Sequence, residues 1–284
     1  MPVQVQKIIM KKGFITVCLL LFVTCQYSLF AAEPVLWWSF DQDPDSHILD
    51  RSGRVSDTIE GQYRYLPGVS GNALKPDGYS TCITRNTVQE SLILDSAFTV
   101  EAWVVPAAYP WNWCPVIALS NDHSETGFSF NVGPNGNFSL EASFAEEWQV
   151  CTSEKNIMPL RKWTHIAAVF DSKKGIRLYA NGKLTGQLDE KGKINYKGQQ
   201  QLRGMMNYSK CKPSNIVRQH GTLPGWFSVD GLVDEVKIYN TAMSGKEIAR
   251  LFRAISPVKD PSLKFRQMPS GPKGPGRFGA YYCN

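Results

Sequence analysis

Along most of this chain the apolar residues return at every second position, the spacing of a strand that buries one face and wets the other. Residues 98 to 105 set Phe98, Val100, Ala102 and Val104 against Thr99, Glu101, Trp103 and Val105. VLWWSF, residues 35 to 40, is a shorter run of the same kind. GFSFNV, GPNG and NFSLEASF, over residues 127 to 144, read as a strand, a turn and a returning strand. WTHIAAVFD (163 to 171) runs into SKKG, and IRLYANGKLTGQ reverses at Asn181-Gly182. One late segment repeats at helical spacing instead. Ser244 with Glu247 makes a capping box, and Ile248, Leu251 and Phe252 follow until Pro257 blocks growth. Many strands closed by one short helix predict an all-β fold, most economically a two-sheet antiparallel sandwich.

The run from Leu232 to Tyr239 breaks the pattern in one place. Period-two counting puts Leu232, Asp234, Val236 and Ile238 on one face, so a carboxylate is expected to point inward. An unpaired buried charge costs several kcal/mol, so Asp234 must meet either a cation or a set of donors.

Composition changes the picture mainly at the ends. Residues 1 to 32 hold Lys7, Lys11 and Lys12, then an apolar run from Phe14 to Phe30, then Ala31 and Ala32, which reads as a secretory signal. The run is barely long enough for a bilayer, and Glu33-Pro34 follow at once, so stable membrane insertion is not expected. Cys25 is a weak candidate for lipidation. The formal charge of +6 belongs to the two ends, leaving the body near neutral without the basic stripe that nucleic-acid binding requires. The body is expected over residues 33 to 255. Residues 256 to 284 are rich in Pro and Gly and read as a linker, as the start of a further domain cut short, or as an arm lying back on the sandwich. Cys82, Cys114, Cys151, Cys211 and Cys283 remain after cleavage. A Cys114–Cys151 disulfide suits an oxidising compartment; the alternative is that all are buried small apolar groups.

FTVEAWVVP, WTHIAAVFDSKKGIRLYANGKLTGQ and VDGLVDEVKIYNTAMSGKEIARLF, in this order, resemble the laminin-G-like modules of the concanavalin A-like lectin and glucanase superfamily. The resemblance covers roughly residues 35 to 255. It implies a jelly roll of two antiparallel sheets, often attached to glycoside hydrolases as a sugar-binding or spacer module, with a structural calcium ion near the joined chain ends in many members. Glucanases of the superfamily carry E-x-D-x-x-E on one strand, because retaining hydrolysis needs two carboxyl groups about 5 Å apart on one face. That pattern is missing here, which puts hydrolysis in doubt.

Within that frame Asp41, Asp43 and Asp50, with Asp45, are expected to meet Asp234 where the first and last strands run side by side. They would hold calcium through six to eight oxygens, or the same loop would satisfy Asp234 through backbone donors. The loop AAYPWNWCPV brings Trp111, Asn112 and Trp113 together, and Asp122 and His123 follow on the same rim. Exposed indoles stack on sugar rings and amides read hydroxyls, so this loop is a candidate glycan surface; the alternative is a plug over the sandwich edge. The four histidines show no paired spacing, which argues against zinc. The expected function is therefore an exported, non-catalytic module that binds or spaces, with a polysaccharide or glycan as partner. An accessory domain of a longer glycoside hydrolase and a protein-binding adhesion module are the alternatives.

Overall fold

Runs of β-branched and aromatic residues pair wherever one face can be buried. The computed structural model describes residues 32–41, 46–53, 55–85, 88–121, 126–145, 147–207, 218–219, 223–224, 227–256 and 258–262. The compact unit that carries the fold begins at Pro34. In chain order its first strands are β1 (Leu36–Trp38), β2 (His47–Asp50), β3 (Val55–Glu60), β4 (Tyr63–Pro67), β5 (Asn72–Pro76) and β6 (Cys82–Arg85). The long central strands follow as β7 (Ala97–Pro106), β8 (Cys114–Asn121), β9 (Thr126–Val132), β10 (Phe138–Phe144), β11 (Glu147–Thr152) and β12 (Thr164–Asp171). The last are β13 (Gly175–Ala180), β14 (Lys183–Leu188), β15 (Gln201–Gly204), the two-residue pair β16 (Arg218–Gln219) and β17 (Leu223–Pro224), and β18 (Gly231–Tyr239). Helix α1 (Gly245–Ile255) closes the chain's regular structure.

Hydrogen bonding arranges the strands as two antiparallel layers. One runs β11-β10-β9-β8-β15-β6-β3-β2, the other β1-β18-β7-β12-β13-β14, with β5 paired to β18 and β4 to β5. The layers meet at one edge through the single pair Trp38–Asp50. Their inner faces form one core. Phe98 of β7 lies 4.6 Å from Phe128 of β9, and Phe144 of β10 lies 5.3 Å from Phe170 of β12, so aromatic pairs tie layer to layer. Each such ring contributes about 1.5–3 kcal/mol by leaving water.

β18 departs from simple alternation. Asp234 pairs with Trp103 but Lys237 pairs with Glu101, so three steps on one strand face two on the other. The extra residue is absorbed at a bulge in which Glu235 takes φ +52°. Beyond it the faces exchange. Val236 and Ile238 enter the main core, whereas Leu232 packs outside it with Trp103, Val105, Ala73 and Trp163. Asp234 therefore does not share a face with Val236 and Ile238; it lies on the outer side of its sheet, under the β4–β5 hairpin.

That outer side carries a second, smaller core. Phe252 of α1 stacks on Trp103 at 5.8 Å, and Ile255 and Val258 pack beside it. The helix is started by its capping box: Glu247 N donates to Ser244 Oγ at 3.4 Å, and Ser244 N donates to Glu247 Oε2 at 2.7 Å. After the helix the chain lies back on the sandwich as far as Asp260, whose Oδ1 accepts Trp163 N at 3.0 Å. Among the described residues no helix is long and apolar enough to cross a membrane.

The expected Cys114–Cys151 disulfide is not formed. Cys114 starts β8 opposite Val132, Val132 faces Phe138, and Cys151 pairs with Leu140 on the far edge strand. Three strand spacings, about 14 Å, separate the two, twice the reach of a disulfide. Both thiols are buried, and burial pushes Cys151 up to about 11.

Candidate functional site

The tryptophan loop is more firmly packed than its sequence implies. Tyr109 Oη donates to Met158 O at 2.7 Å, anchoring the loop's start. Trp111 is half-buried against the core, 5.4 Å from Phe227, and its Nε1 has no partner among the described residues. Trp113 lies across Gly133, where an added Cβ would collide with the indole. Between the two tryptophans Asn112 is exposed, and its Oδ1 accepts the N–H of Trp113 at 2.9 Å. Asp122 and His123 lie outside the described residues, as do Asp43 and Asp45.

A different aromatic sits on a different surface. On β9 and β10, Phe128, Phe130, Leu140 and Ala142 point into the core, so Ser129, Asn131, Ser139, Glu141 and Ser143 point outward. These outward groups form a directed ladder. Ser129 Oγ donates to Asn131 Oδ1 at 2.6 Å, and Asn131 Nδ2 donates to Ser139 Oγ at 3.3 Å. Ser139 Oγ in turn donates to Glu141 Oε1 at 3.3 Å. From the edge strand β11, Trp148 Nε1 donates to Glu141 Oε2 at 3.2 Å. Trp148 stands opposite Ser143 and Val150 opposite Glu141, so both share this outer face. Trp148 and Glu141 are half-buried and Val150 is 47% exposed, whereas Ser129, Asn131, Ser139 and Ser143 are buried. Partial burial raises the Glu141 pKa against the two bonds it accepts.

The acidic seam is real but differently composed. β1 and β18 pair as expected, with Leu36 opposite Ile238. Asp234 is fully buried, yet its partners come from the β4–β5 turn rather than from residues 41 to 50. Val69 N donates to Oδ2 at 2.8 Å, Ser70 N to Oδ2 at 3.2 Å, and Glu235 N to Oδ1 at 2.8 Å. Burial, reinforced by the adjacent Glu235 charge, outweighs these donors and pushes Asp234 up to about 8. Asp41 grips the other end of the same turn, accepting Asn72 N at 2.9 Å. Added Cβ atoms at Gly68 and Gly71 would collide with Asp234 and Asp41 respectively, so the turn can pass between the carboxylates only as glycine.

Asp50 is committed elsewhere. Its Oδ1 accepts Trp37 N and Ser52 N, each at 3.0 Å, and its Oδ2 meets Arg85 Nη2 at 2.9 Å. Arg85 also grips Asp57 through both carboxylate oxygens, at 2.6 and 2.7 Å, and Trp38 Nε1 donates to Asp57 at 2.7 Å. All four side chains are buried. This network removes Asp50 from the expected metal set. Among the described residues no three His, Cys, Asp or Glu side chains converge, so an ion at the seam would draw on Asp41, Asp234, turn carbonyls and water.

One further constellation has the composition of a catalytic group. His165 Nε2 lies 2.8 Å from Glu101 Oε2, and Tyr239 Oη donates to Glu101 Oε1 at 2.8 Å. Burial opposes the charge of Glu101, but the bond to His165 and its charge, with Lys237 and Tyr239, hold the pKa below the ordinary value. His165 is fully buried, clustered with the rings of Trp103 at 5.3 Å and Phe252 at 6.1 Å. A group sealed under α1 positions the helix instead of meeting a substrate.

Comparison with known proteins agrees with this architecture. The family model for the laminin-G type of the concanavalin A-like lectin/glucanases superfamily matches residues 77–249. None of the curated proteins matches the sequence. Among solved structures, the binding domain of botulinum neurotoxin serotype G superposes with a TM-score of 0.56 at 12% identity, over 78% of this chain and 51% of that one. The binding domain of Paraclostridial Mosquitocidal Protein 1 gives 0.56 at 16% identity, over 78% and 52%. Domain 4 of AbnA, a GH43 extracellular arabinanase from Geobacillus stearothermophilus in complex with arabinotriose, gives 0.57 at 20% identity, over 78% and 98%. The chain thus spans about half the length of the toxin binding domains. Because the matched residues make up more than half of its length, the chain belongs to the concanavalin A-like lectin/glucanase superfamily.

Proposed function

We propose that this protein is an exported, non-catalytic glycan-binding module whose contact surface is the β10–β11 edge that carries Glu141, Trp148 and Val150. The observation that carries this reading is the half-buried Trp148 indole, fixed by its own N–H to Glu141 and flanked by the exposed Val150. An indole held by its N–H offers its face to the C–H side of a sugar ring, while the carboxylate beside it takes ring hydroxyls. Recognition of this kind needs a rigid platform, and a strand pair whose other face is core supplies one. The arabinotriose held by the structurally similar arabinanase domain supports a glycan as the ligand class.

A structural calcium ion at the seam is part of the same proposal. Asp41 and Asp234 would hold it from either side of the turn. When bound, it would supply the positive charge that the buried Asp234 lacks and fix the turn.

The test is binding of oligosaccharides and polysaccharides by calorimetry or affinity electrophoresis. Trp148→Ala is expected to weaken binding roughly tenfold or more, the loss of one ring contact and its ordering. Full binding in Trp148→Ala, with loss in a Trp111→Ala, Trp113→Ala double variant, would move the site to the 107–113 loop. Absence of binding to every glycan, beside specific capture of a protein partner, would overturn the glycan reading.

A further inference from the structure

The direction of the hydrogen bonds in the outer ladder specifies the kind of glycan, an inference that rests on the reading above. The donors of Ser129, Asn131, Ser139 and Trp148 are spent within the ladder, and Ser143 beside them is buried. The Ser129 hydroxyl goes to Asn131, the Asn131 amide to Ser139 Oγ and Ser129 O, the Ser139 hydroxyl to Glu141, and the Trp148 indole N–H to Glu141. The chain of donors ends on one carboxylate. A carboxylate has about four acceptor directions over its two oxygens, of which the ladder uses one on each. The other members being buried, what the ladder presents to a ligand is the half-buried Glu141 carboxylate, a pair of acceptors joined through one carbon.

Two adjacent acceptors with a negative charge match two adjacent hydroxyls of a sugar. They repel a uronate, sialate or sulfate, which brings acceptors and the same sign of charge. In the cross-strand row through Glu141 the basic side chain is Arg203. It is reached through Ser129 and Ala118, three strands and about 14 Å away. That distance exceeds a Debye length at physiological salt, so Arg203 cannot offset Glu141 for one sugar residue.

We infer that the Glu141–Trp148 site selects an uncharged glycan presenting a vicinal diol, with Glu141 as the specificity-determining residue and Trp148 as the platform.

The experiment uses the full chain and a panel of neutral polysaccharides (arabinan, mannan, β-glucan, xylan) beside polygalacturonate and chondroitin sulfate. Neutral glycans are expected to bind with an affinity that changes less than about twofold between about 50 and about 500 mM salt. Glu141→Gln replaces an acceptor with a donor, and is expected to lower neutral-glycan affinity about tenfold while relaxing the exclusion of polygalacturonate. An unchanged melting temperature shows that the variant is folded. Tighter binding of an anionic glycan by the wild type would overturn the inference while leaving glycan binding in place. So would neutral-glycan binding that survives in Glu141→Gln but vanishes in Trp148→Ala. Failure of every glycan to bind would overturn the underlying reading itself.

Discussion

Replacing Asp234 by Asn separates the charge at the seam from its shape. In the folded protein Asp234 is pushed up to about 8, from an ordinary value of 3.8. Between those values the folded state holds a proton that the unfolded chain releases, so stability must fall as pH rises from about 4 to about 8. The steepest slope for one group is about 1.4 kcal/mol per pH unit, so over some four units the ceiling is about 5 kcal/mol. Asn is neutral throughout and lacks this slope. It has its own cost, because an amide nitrogen set against the Glu235 N–H leaves one donor unmet, about 1–3 kcal/mol. Asp234→Asn should therefore be less stable than wild type at pH 5, and the gap should close or reverse by pH 8. The assay is urea unfolding in chelator at half-unit pH steps. Subtracting the two curves removes the other carboxyl groups. Calcium adds a second arm. A bound cation keeps Asp234 ionised, so millimolar calcium should flatten the wild-type curve and leave Asp234→Asn unaffected. At a hundredfold excess over its dissociation constant the ion adds about 2.7 kcal/mol, or roughly 5–10 °C in a unit of this size. Parallel pH curves for the two proteins would refute the account of Asp234. Equal calcium responses, or none in either, would refute the ion alone.

Other outcomes test the scaffold. Arg85→Met leaves Asp57 and Asp50 buried without their shared guanidinium, and should cost about 3–5 kcal/mol in denaturant unfolding at pH 7. Because burial already raises Asp57, protonation can relieve that loss, so the deficit should shrink at pH 5. Gly71→Ala introduces a side chain at φ +61° against Asp41, and should lower the melting temperature by several degrees, a loss of about 2 kcal/mol or more. Ser244→Ala removes one half of the capping box and should cost about 1 kcal/mol, with near-ultraviolet circular dichroism reporting loosening of Phe252 from Trp103.

The fold was legible because it depends on short-range patterns. Alternation over residues 98 to 105 marks the faces that the structure buries, with Phe98, Val100, Ala102 and Val104 in the main core and Trp103 and Val105 in the lesser one. The Ser244–Glu247 spacing likewise marks the first turn of α1. What alternation cannot carry is a change of phase. One residue in the left-handed region at Glu235 exchanges the faces of β18, and nothing in VDEVKIY announces it, since Glu is not a residue that prefers positive φ. The cost of a buried charge marks Asp234 as anomalous in the sequence. Period-two counting aims it at the wrong layer, and so away from the Val69 and Ser70 amides that it meets.

The candidate site shows the same limit from the other side. Adjacent tryptophans at 111 and 113 draw attention as a motif, yet local density of aromatics says nothing about which rings a fold will use as packing. Here one ring fills space beside Phe227 and the other covers Gly133. The Glu141–Trp148 pair comes from two strands whose register is set only when β10 and β11 pair. A signal was nonetheless present. In FSFN and FSLEAS each polar residue alternates with a core residue, and the polar set contains hydroxyls, an amide and one acid. Ser129, Asn131, Ser139 and Ser143 are nevertheless buried, so only short side chains that can bond one another fit there. Their mutual hydrogen bonds satisfy those buried groups and hold the indole at the edge in one orientation. On the proposed reading, a glycan that meets this edge would find Trp148 and Glu141 already ordered and would not have to organise them.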